Sequence, residues 1–188
     1  MQDRIDKILE ALRNTQAMPG EVRVIAIDGR CASGKTTLAE RLSEITGAGV
    51  IHMDDFFLPQ ELRTRERLAE AGGNVDYERF AAEVLPYLKK TEPLVYRRFD
   101  CSRMELGENC VIPAGKLRIV EGAYSCHPRF GGYMTLRVFG EVEPEEQHRR
   151  IRERNGEERL ARFLSEWIPM EENYFKAFRI REEADLIV

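Results

Sequence analysis

One run of eight residues constrains this chain more than any other. Gly29-Arg30-Cys31-Ala32-Ser33-Gly34-Lys35-Thr36 carries its glycines, lysine and hydroxyl at the spacing of a phosphate-binding loop. Glycines let the backbone curl until successive N–H groups point inward, and a helix starting on the loop adds the positive end of its dipole. The flanks supply the required setting. Residues 22–28 (VRVIAID) read as a short strand, and the apolar stretch 24–27 lacks alternation, as in a strand buried on both faces. Beyond the loop, Leu38, Leu42 and Ile45 fall at helical spacing, and Gly47 ends the segment. A strand–loop–helix unit that holds a nucleoside triphosphate, ATP, is therefore expected. Gly29, Ala32, Ser33, Gly34, Lys35, Thr36 and Thr37 would surround the phosphates, with Lys35 as a point charge on them and the Thr36 hydroxyl on Mg²⁺.

The rest of the chain alternates in the same way. Ile5, Ile8, Leu9 and Leu12 mark an amphipathic helix over 3–15, closed by Pro19-Gly20. A second apolar strand spans 50–53 and runs into Asp54-Asp55-Phe56-Phe57. Residues 61–71 are heavily charged and read as surface. Phe80, Val84, Leu85 and Leu88 predict a helix over 76–90. Residues 95–99 and 110–112 predict an antiparallel excursion around a turn near Gly107. Strands follow at 117–121, 136–139 and 184–188. Pro144-Glu145-Glu146 opens a helix, and a longer one runs over 157–180 with a break at Pro169. In the latter, Trp167, Tyr174, Phe175 and Phe178 are spaced for a core-facing side. Strand–helix alternation predicts an α/β fold with a mostly parallel sheet, and 188 residues suit a single domain over 1–188.

Composition excludes several classes. A net charge of −4 gives the whole molecule no attraction for nucleic acid or anionic membrane. No apolar run approaches the ~20 residues of a bilayer span, and residues 1–6 are too polar for a secretion signal. Cys31, Cys101, Cys110 and Cys126 form no metal or disulfide pattern, which suits a reduced, cytoplasmic protein. His52, His127 and His148 show no metal spacing and read as packing or surface residues.

Ligands of open parallel sheets sit beyond the carboxyl ends of the strands. Asp54-Asp55 and Glu121 fall there, where a carboxylate can take a proton from a hydroxyl or hold a metal. Adjacent side chains of extended backbone point opposite ways, so one of Asp54 and Asp55 is expected to face the phosphates. Arg149, Arg150, Arg152 and Arg154 cluster after the fourth strand. Arginines closing over a phosphoryl group stabilise its charge, although four on one helix cannot share one target.

These elements together resemble the uridine kinase and phosphoribulokinase superfamily over nearly the whole chain. The likeness rests on the loop, Asp54-Asp55-Phe56-Phe57, Asn74-Val75-Asp76, Val95-Tyr96, Glu121-Gly122, the arginine-rich segment and the terminal Ala184-Asp185-Leu186-Ile187-Val188. It implies a P-loop NTPase three-layer αβα fold with a mostly parallel five-stranded sheet, and an arginine-rich lid near 149–156. It also implies a kinase using ATP and Mg²⁺ on a small-molecule hydroxyl substrate, with a homo-oligomer as one expected state. By resemblance, Asp54 is the base, and Lys35, Arg150 and Arg154 serve catalysis. Asp76, Tyr96 and Glu121 meet the substrate, and Thr36 and Glu121 the metal; Arg97, which departs from the family pattern, is placed at the substrate on its charge. Two departures leave the acceptor open. Cys101 stands where uridine kinases carry a histidine, and Arg97-Arg98 follow the tyrosine where an acid is usual. Those arginines suit either an acidic substrate or an exposed strand. The alternative function is a P-loop regulatory NTPase, which would leave Asp54, Asp76 and Tyr96 without a shared purpose.

Overall fold

A computed structural model describes residues 1–16, 20–100 and 103–188. Pro19 and Cys101 therefore lie outside the described residues. Five strands form the central sheet: β1 (Arg23–Gly29), β2 (Gly49–His52), β5 (Leu117–Glu121), β6 (Leu136–Gly140) and β7 (Leu186–Ile187). Their order is β2-β5-β1-β6-β7, with every pairing parallel. The missing alternation in β1 has its reason in two cores. Ile25 and Ile27 pack with Ile5, Ile8, Leu38 and Leu42 from helices α1 (Gln2–Asn14) and α2 (Lys35–Thr46). Val24 and Ala26 face the other layer, where Phe56, Phe80, Tyr174 and Phe175 gather. A strand buried on both faces needs apolar residues at every position. Ile45, expected on the inner face of α2, is instead exposed, and Ala39 takes its place.

Four boundaries depart from the sequence reading. The helix expected over 76–90 divides into α4 (Tyr77–Glu83) and α5 (Leu85–Leu88), after the short α3 (Arg65–Ala69). Pro86 has no N–H to continue the ladder, so the division falls at Val84. The excursion is a hairpin of β3 (Leu94–Asp100) and β4 (Glu105–Ile112). Gly107 lies inside β4 rather than at the turn, beside a register shift between Arg97 and Phe99; a glycine within a strand commonly marks such a bulge. The terminal strand is only Leu186–Ile187. After α6 (Pro144–Asn155), the stretch 157–180 is α7 (Glu157–Arg162), a π-helical turn at Phe163–Trp167, and α8 (Ile168–Phe178). The ring of Pro169 would press on the carbonyl of residue 165 in a regular helix. The turn widens just before it, with the Ile168 N–H donating to the Phe163 carbonyl. Among the described residues, no helix is long and apolar enough to cross a membrane.

Candidate active site

The carboxyl ends of β1, β2 and β5 open into a cavity of about 1250 Å³. Its floor is the loop between β1 and α2. Gly29 pairs in register with Gly140 on β6 and has φ +123°, and a Cβ there would strike the Gly140 carbonyl, so only glycine fits. Ala32 and Gly34 take left-handed conformations that curl the loop. The Lys35 ammonium is folded onto the carbonyls of Gly29 and Arg30, at 2.7 and 2.8 Å.

Buried acids brace this loop. Asp28 accepts hydrogen bonds from the N–H groups of Gly29, Tyr124 and Cys126 and from the Tyr174 hydroxyl. Burial raises its pKa while those bonds lower it. Glu171, on α8, accepts from the Cys31 N–H at 2.9 Å. Burial lifts its carboxyl to about 7, against the opposing charge of Lys35. From α1, Arg4 donates to the Ser33 carbonyl at 3.0 Å, and it too lines the cavity.

The reactive acids meet because β2 lies beside β5. His52 and Glu121 are register partners, which brings the end of β2 against the end of β5. Thr36 Oγ1 lies 3.3 Å from both carboxylate oxygens of Glu121. His52 Nδ1 is 2.6 Å from Oε1 of the same group, and chiefly that hydrogen bond raises the His52 pKa. Asp54 reaches water through the cavity but is otherwise enclosed by protein. That enclosure, followed by the Glu121 charge, raises its pKa, while Lys35 and His52 draw it down. Asp55 turns away from the cavity, accepting from the Tyr96 hydroxyl at 2.7 Å and from Arg98 at 3.0 Å.

The oxygen set of Thr36 and Glu121 suits Mg²⁺, which takes one or two carboxylates and completes its shell with water and phosphate. Among the described residues, no cluster of three or more His, Cys, Asp or Glu forms a cation cage.

The arginines of α6 divide by helix face. Arg150 and Arg154 line the cavity, and Arg150 also holds the Ala32 carbonyl at 3.0 Å. Arg149 and Arg152 point outward, tied to Glu146, Glu153 and Glu157.

Three expected substrate contacts lie elsewhere. Tyr96 is buried under Asp55 and stacks near Phe56, with centroids 5.0 Å apart. Asp76 caps α4, accepting from the Arg79 N–H at 2.9 Å. Arg97 is exposed and bonds the Leu106 carbonyl across the hairpin at 2.9 Å. Its guanidinium is satisfied within its own hairpin, and Arg97 is not part of the cavity lining. Two further readings are corrected. Trp167 is not core; with Phe163 it lines the cavity, edge to face at 4.5 Å, because the π turn rotates this segment away from the face of Tyr174. His52 is neither packing nor surface but a partner of Glu121. His127 does pack, stacked on Tyr174 with centroids 5.7 Å apart.

Sequence reasoning passed over Asp28, Glu171, Arg4, Arg159 and Arg162. Asp28 carried a signal, a lone acid ending an apolar strand beside the loop. The others lie on charged stretches where nothing local separates a cavity face from a solvated one.

No family model and no curated protein matches this chain by sequence. Solved structures do match it in fold. A possible uridine kinase from Bacillus stearothermophilus superposes with a TM-score of 0.74 at 20% identity, covering 99% of this chain and 97% of that one. A candidate fructose transport system kinase from Silicibacter sp. TM1040 gives 0.73 at 22% identity, with 98% of each chain covered. A D-glycerate 3-kinase from Cryptococcus neoformans gives 0.62 at 15% identity, over 91% of this chain and 87% of that one. The chain thus has the three-layer fold of these P-loop proteins, with the mostly parallel five-stranded sheet and the small antiparallel hairpin.

Proposed function

We propose that this chain is a kinase that transfers the γ-phosphoryl group of Mg-ATP to a hydroxyl of a small molecule. The observation that carries the reading is a single cavity holding Lys35, Thr36, Asp54 and Glu121, large enough at about 1250 Å³ for two substrates. A protein that only bound and hydrolysed nucleotide would have no need of the second half of that space.

The roles follow from geometry and charge. The loop N–H groups and the N-terminus of α2 hold the phosphates. Thr36 and Glu121 would hold Mg²⁺, which supplies positive charge to the phosphate oxygens. Lys35 exchanges its two loop carbonyls for phosphate oxygens when nucleotide enters. Asp54 orients the acceptor hydroxyl and takes its proton; a carboxylate made more basic by enclosure and by Glu121 does this better than a fully solvated one. Arg150 and Arg154 close over the charge that develops on the equatorial oxygens.

Purified protein with Mg-ATP is expected to release ADP faster when the right alcohol is supplied from a panel of nucleosides, ribosides, pantothenate and sugar phosphates. Asp54→Asn should lower kcat for that reaction by about 10²- to 10⁴-fold and leave ATP binding in place. ADP release that ignores every acceptor and answers only to a protein partner would sink the reading.

A further inference from the structure

The cavity wall that follows Asp54 carries a cation that belongs neither to the phosphate loop nor to the arginine-rich helix α6. Arg63 lies on the wall formed by the segments around Leu58 and Asn74, which are joined by Leu58 N–H to the Asn74 carbonyl at 3.2 Å and by the Phe57–Val75 bridge. This wall follows directly from Asp54. Arg63 donates to Asn74 Oδ1 at 2.8 Å, and Asn74 is itself only 6% exposed. Among the described residues, the guanidinium is thus held by a neutral partner and makes no ion pair. Arg67, four residues later and inside α3, makes a contrast: it pairs with Glu78 at 2.8 Å and stacks over the Tyr77 ring.

The charge inventory points the same way. Lys35, Arg4, Arg63, Arg150, Arg154, Arg159 and Arg162 line the cavity, against Asp54, Glu121 and Glu171. Carboxylates outside the cavity compensate Arg150 and Arg162, through Glu146 and Glu166. The surplus remains positive in a chain whose net charge is −4. The loop, Lys35 and the lid arginines can absorb the charge of Mg-ATP. Arg63, on the wall that follows Asp54, is left for a second anion. Phe57 and Leu58 lie on that same wall, and Phe99 and Met104 add further apolar lining to the cavity.

Resting on the kinase reading above, we propose that the acceptor is an alcohol bearing its own anionic group, carboxylate or phosphate, and that Arg63, set by Asn74, is the residue that selects it. A guanidinium binds either oxyanion through paired N–H donors. Its position beyond the Asp54 wall lets the anion anchor one end of the substrate while the hydroxyl meets Asp54 at the other.

The test uses the full chain with Mg-ATP and matched acceptors that differ in one charge: glycerol, glycerate and glycerol phosphate; ribose and ribose 5-phosphate; pantothenol and pantothenate. ADP release gives turnover, and thermal shift with Mg-ADP present gives binding. An anionic member should be turned over in preference to its neutral counterpart, and comparison of glycerate with glycerol phosphate tells carboxylate from phosphate. Arg63→Gln should raise KM for the anionic acceptor about 10- to 100-fold, leave kcat and the KM for ATP little changed, and erase the preference. Arg63→Lys should restore part of it, which a merely structural role would not allow. Turnover of a neutral alcohol that Arg63→Gln leaves untouched would overturn this inference and keep the kinase reading. Anion binding that is lost in Arg63→Gln, with no turnover of any acceptor, would keep the anion site and overturn the kinase reading. Neither turnover nor binding would overturn both.

Discussion

The two ends of the cavity are built by different means. The phosphate end is backbone: a contiguous run from Gly29 to Thr36, shaped by left-handed residues and closed against Gly140. The end proposed for the acceptor is side chain: Asp54, Arg63, Asn74, Phe99 and Trp167 arrive from five separate segments. Backbone N–H groups bind any phosphate that fits, so the first end tolerates change at its variable positions and fails at its glycines. Side chains choose among substrates, so the second end can be redrawn without touching the chemistry. Between them sit the lid arginines and Glu171, which belong to the second region in sequence and act on the first.

Experiments on that joint should show the largest effects. Arg150→Ala with Arg154→Ala is expected to lower kcat by about 10²- to 10³-fold. Arg149→Ala with Arg152→Ala should leave kcat unchanged and stability within about 0.5 kcal/mol, because those side chains pair only with surface acids. Equal losses from both pairs in ADP-release kinetics would erase the distinction between helix faces.

Glu171 gives the next effect, read as stability against pH. Its folded pKa of about 7 lies above the ordinary glutamate value of 4.5. The folded state therefore holds this proton more tightly than the unfolded chain. The contribution is fully present below the unfolded value and is lost as pH rises toward 7. Glu171→Gln, which keeps an acceptor for the Cys31 N–H, should flatten that slope. At pH 8 it should exceed the parent by up to roughly 3 kcal/mol, and near pH 4.5 the two should converge. Urea unfolding across pH 4.5–8 measures this; parallel curves would show that Glu171 does not titrate there.

A glycine pair gives the smallest effect and the most direct contrast. Gly29 and Gly156 both have positive φ, but a Cβ at Gly29 meets the Gly140 backbone whereas one at Gly156 meets nothing within 4 Å. Gly156→Ala should cost about 1 kcal/mol of backbone strain, and Gly29→Ala about 1–3 kcal/mol more from overpacking. Chemical denaturation of the two variants compares them, and equal losses would mean the close approach to β6 is relaxed at no cost.

Legibility in the sequence followed locality. The loop, the doubly buried strands and the helix opened by Pro144 were readable because each is decided within a few residues. The hairpin was readable in its pairing but misplaced at its turn, since Gly107 serves a bulge that depends on the partner strand. Trp167 read as core because its spacing matched Tyr174 and Phe175; a π turn forced by Pro169 then altered the phase. Tyr96 was expected at the substrate by resemblance, and Arg97 on its charge, as a departure from the family pattern. In this chain, Asp55 and the neighbouring hairpin carbonyls satisfy them instead.

The residues by themselves determined an alternating α/β chain with a phosphate loop between its first strand and second helix, since backbone conformation and hydrophobic period are properties of contiguous segments. The tertiary structure alone decided that Asp54 rather than Asp55 faces the loop, and that Arg150 and Arg154 turn inward while Arg149 and Arg152 do not. It also decided that Arg63 joins the cavity lining, held by Asn74. Each of these depends on the strand order β2-β5-β1-β6-β7, which brings together groups as far apart as His52 and Glu121, 69 residues distant in the chain. Hydrophobic periodicity records which face of an element is buried, but carries no record of which distant element lies against it.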